Sequence, residues 1–252
     1  MRAAPTTDES ANRRPLKVLA LGDCNTCGSD SRPTIVDQTV RQLRIAGVAC
    51  EATNWGHTMT TTREGLARVL RDRPPADVVL LNYGLVDSWV TTVPWLYVPY
   101  FPDTPLRRAA RKLLKFAKRR LRSPWVRRWV PRGEVVALDE FDRNLREIIA
   151  ALRHANPSVE LVLWATSAVQ GNSGRNANIG RYNARMASIA AAVDCTFINT
   201  ATVLASLPAD RGCVDAVHLS GESAQLLGAA VAANLLPRLL PQALPHHDRD
   251  AA

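Results

Sequence analysis

A cysteine, an aspartate and a histidine stand in this chain where acyl transfer would need a nucleophile, an acid and a base. Toward the C-terminal end, Asp215-Ala216-Val217-His218 places a carboxylate three residues before an imidazole. That spacing lets the carboxylate hold one ring nitrogen while the other faces a nucleophile, which orients the base and stabilises the imidazolium. Toward the N-terminal end, an apolar run at 16–21 passes directly into Gly22-Asp23-Cys24. A thiol between a strand end and a helix start sits where its anion is favoured. Attack by that sulfur on an acyl carbonyl would form a thioester, which passes its acyl group on readily. Cys24 is the expected nucleophile, His218 its base and Asp215 the orienting acid. Cys24 and Cys27 also form a Cys-x-x-Cys pair, but nothing else in the chain follows a thioredoxin pattern. No His, Cys, Asp or Glu spacing matches a metal site, and no cofactor is expected.

The elements that must position these groups alternate. Runs at 16–21, 48–53, 77–82, 159–164 and 196–198 read as strands. Helical spacing or helix-favouring composition at 34–45, 62–71, 138–154, 180–193 and 224–236 supplies the helices. Five such alternations predict a parallel five-stranded sheet with right-handed crossovers, an α/β three-layer sandwich. In such folds reactive groups gather at the carboxyl ends of the strands. Gly22 to Cys24, Asn54, the Gly84–Asp87 turn and the loop at 166–176 all fall there. Asn54 and Asn82, both at strand ends, are candidate amide donors. Asp23 and Asp87 are expected to support the site by accepting backbone N–H bonds in turns.

Residues 89–134 break the rhythm. An aromatic and proline-rich segment, Trp95 through Pro102, leads into a basic amphipathic helix at 106–122. Leu106, Ala110, Leu113, Leu114, Ala117 and Leu121 are its expected apolar stripe. The net charge of the chain is +9, yet twelve Lys or Arg and no Asp or Glu lie between Arg107 and Arg132. The rest of the chain is therefore net acidic, and the basicity is one local device. An anionic membrane surface is the favoured partner for it. Nucleic acid is disfavoured, because no reader motif accompanies the charge run. A solvated helical excursion is the bland alternative. At 252 residues and 46% hydrophobic, the chain suits one α/β domain at 15–238, between a disordered leader at 1–14 and a flexible tail at 239–252. No run is long and apolar enough to span a bilayer, and the five cysteines are too few and odd in number for a disulfide framework. The expected location is cytoplasmic, peripheral at a membrane if the basic helix binds one.

In its ordered blocks the chain resembles the SGNH or GDSL hydrolases, a family of esterases, acyltransferases and deacetylases. The resemblance spans roughly 16–236 without the insertion. Gly22-Asp23-Cys24 is similar to the family's Gly-Asp-Ser, with cysteine for the nucleophilic serine. Gly84-Leu85-Val86-Asp87 is similar to Gly-x-Asn-Asp, with valine for asparagine, and Asp215 to His218 matches Asp-x-x-His in full. The resemblance implies a flavodoxin-like sheet order, a Cys24–His218–Asp215 triad and an oxyanion hole. It implies a glycine N–H donor in the second block, where Gly56 stands and where the spacing alternatively selects Met59. Gly84 completes the candidate substrate-binding set with Gly56, Asn54 and Asn82. The implied activity is esterase, deacetylase or acyltransferase on an acylated small molecule or glycan. The alternative is a non-catalytic module of the same fold that docks on a membrane or glycan through the basic insertion.

Overall fold

The computed structural model describes residues 14–28, 33–121 and 128–240. β1 (Leu16–Gly22) runs into a one-turn helix, α1 (Cys24–Cys27), followed by α2 (Ile35–Ile45) and β2 (Cys50–Asn54). Next come α3 (Thr62–Asp72), β3 (Val78–Asn82), β4 (Val90–Thr92), α4 (Pro105–Arg120) and β5 (Arg132–Glu134). The chain closes with α5 (Leu138–Ala155), β6 (Glu160–Trp164), α6 (Ser173–Ala192), β7 (Thr196–Ile198), α7 (Thr200–Val203), α8 (Ala209–Gly212) and α9 (Gly221–Leu239).

The main sheet has five strands in the order β2-β1-β3-β6-β7, all parallel. Side chains alternate across it, as the two-residue period of a strand requires. Leu19, Leu21, Val79, Leu81, Leu161 and Leu163 point to one face, where Phe141, Leu145, Tyr182 and Met186 of α5 and α6 cover them. Val18, Ala20, Val78, Leu80, Val162 and Trp164 point to the other, against Ile35, Val40 and Leu43 of α2 and Leu227 and Val231 of α9. Both faces are covered, which is why the central strands read as continuous apolar runs. The expected sandwich and strand order are those observed.

Helix starts follow local capping chemistry. Thr34 and Asp37 form a reciprocal capping box on α2, and Thr61 and Glu64 do the same on α3. Asn172 caps α6 by accepting from the Arg175 N–H, so that helix begins at Ser173, a full turn and more before the expected start at 180. The expected loop at 166–176 is shortened accordingly.

The insertion is a closed excursion. β4 and β5 pair antiparallel at its base, with Val90 opposite Glu134 and Thr92 opposite Arg132. Glu64 is its anchor: one carboxylate oxygen caps α3, and the other accepts from the Tyr97 hydroxyl at 2.7 Å and the Tyr100 N–H at 2.9 Å. The Arg68 guanidinium lies between the Trp55 ring at 4.0 Å and the Phe101 ring at 4.6 Å. The face of α4 turned toward the domain differs from the expected stripe. Arg107, Ala110, Arg111, Leu114, Lys118 and Leu121 are half-buried, whereas Leu106, Leu113 and Phe116 are 80%, 71% and 56% exposed. Arg111 and Lys118 take the inner face because their long stems pack while their heads find partners, Arg111 on the Pro99 carbonyl and the Tyr100 ring and Lys118 on the Thr91 hydroxyl.

Two boundary expectations shift. Arg14 belongs to the ordered domain through a bidentate pair with Asp77 at 2.7 and 2.8 Å, and α9 extends to Leu239. Leu240 caps α9, whereas residues 1–13 of the leader, 241–252 of the tail and the end of the basic helix at Arg122 lie outside the described residues. Among the described residues, no helix is long and apolar enough to cross a membrane.

Candidate active site

Strand geometry delivers the first group. β1 ends at Gly22, where an added Cβ would stand 2.0 Å from the Thr26 hydroxyl and 2.3 Å from the Asn82 carbonyl. Only glycine lets the chain turn this tightly from β1 into α1. Asp23 caps α1, accepting from the Asn25 N–H at 3.2 Å, while its other oxygen accepts from the Leu85 N–H at 3.3 Å. This carboxylate thus ties the turn after β1 to the turn after β3. Asp87 does the next joint: one oxygen accepts from the Thr62 N–H at 3.0 Å and its hydroxyl at 2.6 Å, the other from the Gly84 N–H at 3.3 Å. Both aspartates are fully buried. Burial pushes Asp23 up to about 7 and Asp87 up to about 6, against the lowering effect of their N–H donors.

The second group arrives on the loop before α9. Asp215 accepts from the backbone N–H groups of Val217 and His218, each at 2.7 Å, and its second oxygen lies 2.7 Å from His218 Nδ1. Those three partners, the ring first, hold the carboxyl down at about 2. A carboxylate only accepts, so Nδ1 carries the proton and Nε2 is left as the base. The two side chains are about half exposed, at 45% for His218 and 54% for Asp215. Asn25 brings the ends together: its Oδ1 accepts from the Leu219 N–H at 3.1 Å, across 194 residues of sequence. Cys24, Asn25, Asp215 and His218 all line one cavity of about 320 Å³.

The sulfur of Cys24 is not in the state that the sequence suggests. Burial, reinforced by the Asp23 charge, pushes its thiol up to about 11. One turn of α1 is too short for its dipole to reverse that. The backbone N–H groups of Met59 and of Cys24 itself face the sulfur and act in the opposite, anion-favouring direction.

Four expected donors are otherwise engaged. Gly56 gives its N–H to Asn54 Oδ1 at 2.8 Å and lies against the backbone of α1. Asn54 spends its amide on the Thr26 carbonyl at 2.8 Å, so it braces α1 from beneath. Asn82 donates to the Trp164 carbonyl at 2.8 Å, across the strands. The Gly84 N–H is held by Asp87. Met59 instead stands in the left-handed region at φ 65°, which turns its N–H toward Cys24. Of the two positions open for the second block, the Met59 N–H acts on the Cys24 sulfur, whereas the Gly56 N–H goes to Asn54.

Arg175 was not legible as a site residue. It lies in the first turn of α6, and its charge reaches both Cys24 and Asp23. The cue was its place one turn beyond Asn172, a good helix cap in a glycine-containing loop. A second cavity, also of about 320 Å³, opens between α4 and the domain. Met59 and Val86 line it and also pack in the cluster that contains Cys24, while Leu96, Tyr97 and Leu114 form its far side. Among the described residues, no group of His, Cys, Asp and Glu is arranged to hold a metal ion.

The model of the GDSL-like lipase/acylhydrolase family matches residues 20–226. Among solved structures, a lipase/acylhydrolase from Enterococcus faecalis is similar at a TM-score of 0.60 with 19% identity, covering 88% of this chain and 96% of that one. Axe2, an acetylxylan esterase from Geobacillus stearothermophilus, is similar at a TM-score of 0.58 with 20% identity, covering 89% of this chain and 94% of that one. No functionally curated protein matches the chain at significance.

Proposed function

We propose a cysteine-based acyl-transfer mechanism for this chain, which belongs to the GDSL-like lipase/acylhydrolase family. Membership places it among hydrolases acting on esters. The observation that carries the finer reading is the Asp215–His218 pair, bonded at 2.7 Å and opening onto the same cavity as Cys24.

The resting thiol is protonated, so the nucleophile forms during the reaction rather than before it. His218 Nε2 takes the Cys24 proton as sulfur bonds to the ester carbonyl carbon. The resulting oxyanion is met by the N–H groups of Cys24 and Met59. Collapse breaks the bond to the alcohol oxygen, which receives the proton from His218, and leaves a thioester on Cys24. Water, or another acceptor, gives its proton to His218 as it attacks the thioester. Acid or transferred ester leaves, and the thiol regains its proton. Asp215 stays ionised throughout and stabilises the imidazolium.

The acyl portion fits against Met59 and Val86 on the inner wall of the cavity beneath α4, whose outer side carries Arg111, Lys115, Lys118 and Arg119. The acylated group is a small molecule or a glycan; Axe2, an acetylxylan esterase, is one fold relative. The exposed Leu106, Leu113 and Phe116, flanked by basic residues, support an anionic lipid surface as the place of work. Two features favour a binding module instead: the Cys24 thiol pushed up by burial, and Val86 in place of the third-block asparagine. Turnover of a p-nitrophenyl acyl ester separates the two: Cys24→Ala is expected to abolish it and Cys24→Ser to retain part, because the frame around the position is that of a serine family. Wild-type turnover in Cys24→Ala would reject the mechanism.

A further inference from the structure

The cysteine mechanism leaves the oxyanion hole one donor short. The family's third block offers an asparagine amide, and this chain has Val86 there. A missing donor costs about 10²–10³ in rate. Arg175 lies beside that gap. Its Nη2 is 3.4 Å from the carbonyl of Leu85, the neighbour of Val86, and its guanidinium stacks on the Trp89 ring at 4.5 Å. Its Nε is buried and makes no hydrogen bond. Arg175 takes part in no ion pair within 4.0 Å among the described residues, although the Asp23 carboxyl, which accepts from Asn25 and Leu85, lies within electrostatic reach.

A half-buried cation normally has an anion in contact. This one is instead fixed by an aromatic face, a single carbonyl and the backbone cap from Asn172 at 3.0 Å. The stacking orients the guanidinium plane and leaves N–H groups uncommitted. Ile179, in the second turn of α6, belongs to the same cluster as Leu85, Val86 and Cys24, so the N-terminal part of that helix packs beside the turn that carries the nucleophile. The charge favours the anionic forms of both Cys24 and Asp23, which places it within electrostatic reach of the sulfur.

We propose that Arg175 is the third oxyanion donor, a guanidinium that replaces the amide lost at Val86. The inference rests on the cysteine mechanism and deepens it. A cation also fits the sulfur chemistry, since it stabilises the negative charge wherever it resides, on the thiolate or on the carbonyl oxygen. The alternative for such an arginine is an anchor for an anionic substrate group, which would act on binding alone.

The test uses the full chain and p-nitrophenyl acetate, a neutral substrate. Arg175→Met is expected to lower kcat by about 10²–10³ with KM changed little. Adding Val86→Asn to Arg175→Met is expected to restore at least tenfold of the loss, which a structural role could not produce. The midpoint of Cys24 alkylation against pH should also rise in Arg175→Met. An Arg175→Met enzyme within threefold of wild type, a loss confined to KM, or failure of Val86→Asn to rescue a folded Arg175→Met protein would each overturn the proposal. Arg175→Gln keeps an N–H donor if Arg175→Met misfolds, and activity no better than background in folded Arg175→Gln/Val86→Asn would likewise overturn it. An inert wild type would overturn the cysteine mechanism itself, and this inference with it.

Discussion

Asn25 Oδ1 accepts the backbone N–H of Leu219 at 3.1 Å, so the residue after the candidate nucleophile is bonded to the residue after the candidate base. No other side-chain bond described between the α1 turn and the Asp215–His218 loop spans the two ends of the sequence so directly. A misplacement of about 1 Å can cost about 10² in rate. Asn25→Ala is therefore expected to lower kcat by about ten- to a hundredfold. Its stability cost is expected to be only about 1 kcal/mol, or about 2–4 °C in Tm for a domain of this size. Kinetics beside a melting curve check this; an unchanged kcat would show that the bond does not align the site.

The thiol of Cys24 is pushed up to about 11, first by burial and then by the Asp23 charge. A raised thiol pKa means a small thiolate fraction at neutral pH, so iodoacetamide should label Cys24 slowly at pH 7. Labelling should climb as pH rises toward 11. Peptide mapping of the labelled protein follows it. A plateau reached by pH 8 would mean a preformed thiolate, and the concerted proton transfer to His218 would be wrong.

Helix α4 presents two outer faces to solvent, one with Leu106, Leu113 and Phe116 and one with Arg108, Lys112, Lys115 and Arg119. Each Lys or Arg near an anionic bilayer contributes about 1 kcal/mol, screened by salt. The chain is expected to co-sediment with vesicles containing phosphatidylserine, less so with phosphatidylcholine alone, and to release as salt rises. Reversing Lys112 and Arg119 to Glu, or replacing Leu113→Asp, should weaken binding and leave the melting temperature nearly unchanged. Equal behaviour toward both vesicle types, or no binding, would leave α4 as a cover for the cavity beneath it.

The sheet was legible because its central strands are buried on both faces: Val78 to Leu81 and Leu161 to Trp164 admit few other readings. The Asp215–His218 pair was legible because its geometry is set by three residues of local chain. What escaped depends on the third dimension. β4 and β5 are three residues each and carry no period, so the ribbon that closes the insertion left no trace. The start of α6 was hidden because Ser173 to Asn178 contains no apolar stripe, although Asn172 was there to cap it. Glu64, the anchor of the insertion, gave no sign in the sequence that its carboxylate reaches Tyr97 and Tyr100, more than thirty residues away. Leu106 and Leu113 read as one apolar stripe with Leu114 and Leu121, yet they stand exposed, and the packed face of α4 is built from Arg107, Arg111, Leu114 and Lys118. Met59 needed a backbone angle, and the state of Cys24 needed the burial of its surroundings.

The central claim is that the acyl group passes through the sulfur of Cys24, and intact-mass measurement tests it most directly. The protein is mixed with a p-nitrophenyl acyl ester, quenched in acid within the first turnover and weighed. The account predicts a mass increase of one acyl group, mapped to Cys24 and cleaved by hydroxylamine, and absent from Cys24→Ala. It also predicts a much slower appearance in His218→Ala. Ester hydrolysis that proceeds with no adduct on Cys24, and undiminished in Cys24→Ala, would contradict it.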